Sequence, residues 1–181
     1  MKHLLSVCAL AICFAPAAYA ADEENPFKKA KEGDWAKFKM TTGVMGMNID
    51  GELKMTVTAK TDKEATVKST VTINGMELPG GEQKIDLTKP YDPTNASGLP
   101  KGTDVKVEKL GEGKEKIKIG TKEYDCTWLK IKSSAKIGDM NFDSEMKVWM
   151  SKDVPLGGMV KMEMKSKIAD ATMELKETGS K

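Results

Sequence analysis

Arginine is absent from the 181 residues, so the 29 basic side chains are all lysine, and 27 acidic residues reduce them to a net charge of +2. Without a positive excess, and without the planar guanidinium fork that clamps phosphate or reads guanine, the chain is a poor candidate for nucleic-acid recognition. Aromatic residues make up only 6% of the chain, histidine occurs once and cysteine three times. That composition excludes collagen-like, disulfide-framework and low-complexity classes and leaves one soluble domain as the expectation.

The scarce residues are concentrated at the N-terminus. Lys2 and His3 precede an apolar run from Leu4 to Ala18, and Ala18-Tyr19-Ala20 supplies a small-x-small cleavage site. This is the layout of a secretory signal peptide, and the run is shorter than the roughly 20 residues that span a bilayer. The pattern predicts a leader over residues 1–20, a single β-rich domain over 21–181, and a periplasmic or extracellular location. Val7 and Ile12, before Cys8 and Cys13, are too bulky for a lipoprotein cleavage site.

Leader removal would take His3, Cys8 and Cys13 with it, leaving Cys126 as the only cysteine and no imidazole. Ser-His-Asp and Cys-His catalysis then lack their base, zinc lacks its usual ligands, and an internal disulfide is impossible. Cys126 is expected to be a small buried hydrophobe, with an intermolecular disulfide as the alternative. Ser133-Ser134-Ala135-Lys136 fits Ser-x-x-K, but none of the accompanying elements of the penicillin-recognising enzymes is present. The expectation is a non-enzymatic protein with no cofactor and no metal.

Almost everything after residue 34 alternates. Met45, Met47, Ile49, Leu53, Met55 and Val57 fall on odd positions with polar residues between them, the period of a strand with one buried face. Gly51 interrupts that row, where a bulge or bend is expected. Asn74-Gly75 is a type I′ hairpin signal, Gly111-Glu112-Gly113 reads as a second turn, and Asn25-Pro26 reads as the cap and first turn of a short helix through Lys31. The parity change between Cys126 and Leu129 predicts a bulge near Trp128. About ten strands result, near 35–42, 44–60, 63–74, 82–87, 103–110, 115–120, 122–133, 140–150, 158–168 and 170–178. Their short connections require antiparallel pairing. The exception, Thr88 to Gly102, is expected to cross between the halves of the sheet, and within it Asn95-Ala96-Ser97 matches a glycosylation acceptor.

A large sheet with one apolar face and a single short helix must cover that face by curling, as a closed barrel, a sandwich or a half-open barrel. Of the 13 methionines only Met1 lies in the leader, and most of the others share the inward parity. Flexible thioethers adapt to cargo of variable shape. A concave face lined by Met45, Met47, Met55, Met146, Val148, Met150, Met162 and Met164 is therefore the candidate site, for a lipid or another apolar molecule. Two alternatives compete with it. One is a cell-envelope interaction module with a filled core, acting through strand edges or through Trp149, which falls on the outward parity and either packs or meets a partner. The other is Cu(I) binding by the Met45/Met47 and Met162/Met164 pairs.

Lys118 to Trp128 and Val148 to Lys161 resemble an uncharacterised group of secreted proteins common in planctomycete-type bacteria. The second stretch also resembles the hairpin near the end of LolA-like periplasmic lipoprotein carriers, where an aromatic-bearing strand turns through a Gly-Leu-Pro-like segment. That resemblance implies a half-open barrel with an apolar lining. LolA-like carriers use an arginine in gating the cavity; this chain has none, so no binding residue carries over and lipoprotein cargo is not implied.

Overall fold

The computed structural model describes residues 25–44, 47–89, 105–137, 140–167 and 169–180. These residues form nine strands: β1 (Trp35–Val44), β2 (Met47–Lys60), β3 (Glu64–Ile73), β4 (Met76–Asp86), β5 (Val105–Ile119), β6 (Lys122–Ile137), β7 (Met140–Met150), β8 (Met159–Ser166) and β9 (Ala169–Gly179). They make one open sheet in the order β4-β3-β2-β1-β9-β8-β7-β6-β5, with every neighbouring pair antiparallel. Two meanders, β1 to β4 and β5 to β9, are joined through the β1–β9 pair. The chain between Lys89 and Val105 thus connects one edge strand to the other, although residues 90–104, including Asn95-Ala96-Ser97, lie outside the described residues.

The all-β, curled antiparallel architecture agrees with the alternation in the sequence. The one helical element among the described residues, a 3₁₀ turn over Pro26–Lys29, is capped as its residues predict: the Asn25 side chain accepts from the Phe27 amide at 3.0 Å, and proline fills the first turn. It is shorter than expected and ends before Lys31. Asn74 and Gly75 both take positive φ, 51° and 78°, as a type I′ turn demands.

Three local expectations are corrected. The strands expected at 103–110 and 115–120 are one strand, because Gly111 and Gly113 do not turn the chain but lie beneath an indole. A Cβ at Gly113 would stand 2.9 Å from the Trp128 ring. The bulge expected near Trp128 belongs to β5, where the register shifts between Lys109 and Gly111, and β6 runs through without one. Gly51 sits in an unbroken register, and a close approach requires it: its Cβ would come 2.7 Å from the Thr72 carbonyl oxygen and 3.2 Å from Met40 Cε.

Among the described residues no helical layer lies on the sheet, and its curvature brings β5 close to β9. Cross-strand rows follow from the register. Met40, Met173, Met162, Val148 and Leu129 form one continuous row over β1, β9, β8, β7 and β6, and Met164, Met146 and Ile131 lie beside it. All of them are buried. Fully burying each such side chain contributes roughly 1.5–3 kcal/mol, so this methionine ladder is a large share of what holds the curl together. One end of the curl is plugged by Phe27, Leu87, Val154 and Leu156, all buried; Asn25 ties the plug to the sheet by donating to the Asp86 and Lys89 carbonyls.

Candidate functional site

The residues expected to line a concave cavity do not share one environment. Met146, Val148, Met162 and Met164 are packed into the core, Met55 and Met150 are half-buried against it, Met47 is 63% exposed, and Met45 lies outside the described residues. The thioethers therefore fill the middle of the curl. A Cu(I) ion at Met162 and Met164 would have to displace packed side chains.

Open apolar surface lies elsewhere on the same face, at the end opposite the Phe27 plug. The register places Met76 beside Ile73 and Leu78 beside Val71 on the concave side, in line with Leu53 and Phe38. Met47 begins the same odd-numbered row of β2, and Val107 of β5 enters from the far edge beside Ser133. These four are exposed, Met47 and Met76 by 63% and 65%, Leu78 by 42% and Val107 by 38%. Between the two edges the inward positions at this end are Thr42, Ala171, Met164 and Ser133, all buried, and the half-buried Ser144. Ser133 Oγ and Ser144 Oγ share a hydrogen bond at 2.7 Å. Ser133 lies mid-strand, so the Ser-x-x-K match has no helix start. The resulting arrangement is a concave end, the trough, with an exposed apolar wing on β2 to β4 beside a filled core. Exposed apolar side chains of this kind can contact an apolar molecule.

The opposite face of β5 to β8 carries a second cluster. By the continuous β6 register, Tyr124, Cys126 and Trp128 point away from Leu129 and Ile131, and Trp149 pairs with Trp128 on that side. Trp149 is only 4% exposed, so the idea of an exposed partner contact at this residue is overturned. Lys147 on its own strand and Lys161 on β8 stand over its ring, and the loop of residues 90–104, beneath which it was expected to pack, lies outside the described residues. Its indole Nε1 donates to Glu115 Oε2 at 2.8 Å, and Lys147 Nζ stands 4.4 Å and 4.3 Å from the Trp128 and Trp149 ring centroids and 3.4 Å from the same carboxylate. Cys126 is buried as expected, and burial pushes its thiol up, away from the reactive thiolate.

The same carboxylate makes folding stability depend on acid. The Trp149 donor, followed by Lys147, holds Glu115 below the ordinary glutamate value of 4.5, while Thr88, followed by Lys89, holds Asp86 at about 2. Groups depressed in the folded state stabilise it above their unfolded pKa and lose that contribution as pH falls through the folded value. The urea midpoint should therefore fall between pH 4.5 and 2, and Trp149→Phe, which removes the indole donor, should move the Glu115 carboxyl titration upward in a carbon-detected NMR experiment. An unmoved titration would remove Trp149 as its cause.

Among the described residues no helix is long and apolar enough to cross a membrane, and no cluster of three or more His, Cys, Asp or Glu is placed to hold a metal ion. No protein-family model matches the chain, and no curated protein matches it. Solved structures do share its fold. A protein from Bacteroides fragilis NCTC 9343, assigned as exported and as having a YmcC-like fold, superposes with a TM-score of 0.56 at 12% identity, over 86% of this chain and 100% of that one. A protein from Parabacteroides distasonis ATCC 8503, assigned as a lipoprotein, gives a TM-score of 0.50 at 13% identity, over 87% and 100%. At such identities the likeness establishes the fold.

Proposed function

We propose that this chain is an exported, non-enzymatic binding protein whose trough takes a lipid or another apolar molecule. The observation that carries this reading is the exposure of Met47, Met76, Leu78 and Val107 toward one end of the concave side, beside a row of buried core residues. Among the described residues they are four of the five large apolar side chains left exposed, the fifth being Leu110 of β5, and apolar surface gathered on a protein's exterior marks a contact site. Export is supported by the leader-like first 20 residues and by the two fold neighbours, one assigned as exported and the other as a lipoprotein.

The envelope-module alternative rests on the sheet edges. β5 presents Lys106, Lys109, Lys114, Lys116 and Lys118, and β4 carries Pro79 and a register shift opposite Ser69 and Thr70. Charged side chains, proline and bulges are the features that discourage edge-to-edge pairing, and they favour the trough over the edges.

A titration with N-phenyl-1-naphthylamine, which fluoresces on entering apolar surroundings, tests the reading. Saturable binding is expected, weakened about tenfold or more in the Met76→Asp/Leu78→Asp double variant; each 1.4 kcal/mol of lost apolar contact is one factor of ten. Both residues are exposed, so the circular dichroism spectrum should not change. Absence of saturable binding, or equal affinity in the variant, would dismiss the trough.

A further inference from the structure

Five methionines, Met40, Met146, Met162, Met164 and Met173, are at most 5% exposed, whereas Met47 and Met76 are exposed by 63% and 65% and stand on the apolar wing of the trough. The other wing side chains, Ile49, Val71, Ile73 and Leu78, are aliphatic hydrocarbons without a group that mild oxidants attack. Oxidation of methionine converts a flexible apolar side chain into a polar one, and it needs access to the sulfur.

We infer that Met47 and Met76 are modification sites through which a peroxide-class oxidant weakens apolar binding while leaving the fold intact. This rests on the trough reading. In each event the thioether lone pair attacks one peroxide oxygen: the S–O bond forms as the O–O bond breaks, and the proton on the transferred oxygen passes to the departing hydroxide, which leaves as water. Sulfur is oxidised by two electrons and the peroxide is reduced by two. The sulfoxide oxygen then stands on a wing that must lose its water for a ligand to seat, and the desolvation of that polar group opposes binding. The core sulfurs are sheltered by the packing that makes them structural.

The test is graded hydrogen peroxide treatment of the purified protein, followed by peptide mass spectrometry, circular dichroism and the naphthylamine titration. Sulfoxide is expected first at Met47 and Met76, with an unchanged spectrum and an affinity lowered about tenfold, the size of effect that a 1.4 kcal/mol loss produces. In the Met47→Leu/Met76→Leu variant the affinity, whatever its starting value, should be the same before and after peroxide. Equal oxidation of Met162 and Met76, or full affinity once both wing sulfoxides have formed, would overturn the inference. If neither protein binds the probe before oxidant is added, the trough reading itself fails, and the loss of regulation follows from that.

Discussion

Met162→Lys is expected to unfold the protein or bring it close to unfolding. Met162 is 1% exposed and lies between Met173 on β9 and Val148 on β7, in the middle of the row that closes the curl. A lysine there would bury an ammonium whose cross-strand neighbours, Met173 and Val148, are thioether and hydrocarbon and offer it no acidic partner. Burying an unpaired charge belongs to the small set of changes that cost about 4 kcal/mol or more. For a domain of this size that lowers the melting midpoint by roughly 10 °C or more. Met162→Leu, nearly equal in volume, should cost less than about 1.5 kcal/mol, which separates the effect of charge from that of shape. Thermal melting by circular dichroism checks both, and a lysine variant melting within about 2 °C of the parent would refute the inward assignment.

The second large effect is expected at Gly51. Valine is a better strand former than glycine, by up to about 1 kcal/mol in a host sheet, so propensity alone predicts stabilisation. Steric contact predicts the reverse. The added Cβ would stand 2.7 Å from the Thr72 carbonyl oxygen, a backbone atom held in the β2–β3 ladder, and 3.3 Å from Ile73 Cγ1. Moving that oxygen means moving β3, and overpacking of this kind costs about 1–3 kcal/mol, more for a branched side chain. The steric term is the larger. Gly51→Val should therefore melt several degrees below the parent, with Gly51→Ala between them. Stability at or above the parent for both would show that the position tolerates a side chain and that the close approach is not its constraint.

The contrast between Gly51 and Asn74-Gly75 shows where the sequence is informative. A hairpin turn is decided within two residues by the φ values they can adopt, so Asn74 and Gly75 were readable in isolation. At Gly51 and Gly113 the glycine is required by an atom from another strand: the Thr72 oxygen in the first case and the Trp128 ring in the second. Nothing within the local segment signals that. For the same reason the parity change at Cys126 suggested a bulge, although β6 is regular and has both faces occupied, by Leu129 and Ile131 on one side and by Tyr124, Cys126 and Trp128 on the other.

The candidate site was legible in part, for a related reason. Alternation identifies the face of the sheet a residue occupies and contains no information on how far along the curl it lies. Met47 and Met162 share the inward side, yet one is open and the other sealed, because the Phe27 plug and the β5-to-β9 approach close only part of the concavity. Parity thus gives the face of the described methionines and not their depth. Met76, Leu78 and Val107 carried the same parity signal and could have been selected only by knowing that β4 and β5 are the edges.

Native mass spectrometry of the protein purified from its own host tests the central claim, an apolar trough above a filled core, most directly. The expected result is an adduct with the mass of a lipid or comparable apolar molecule, retained by the parent protein and lost from the Met76→Asp/Leu78→Asp variant. A clean protein mass from both, or an adduct that the double variant keeps, would contradict it.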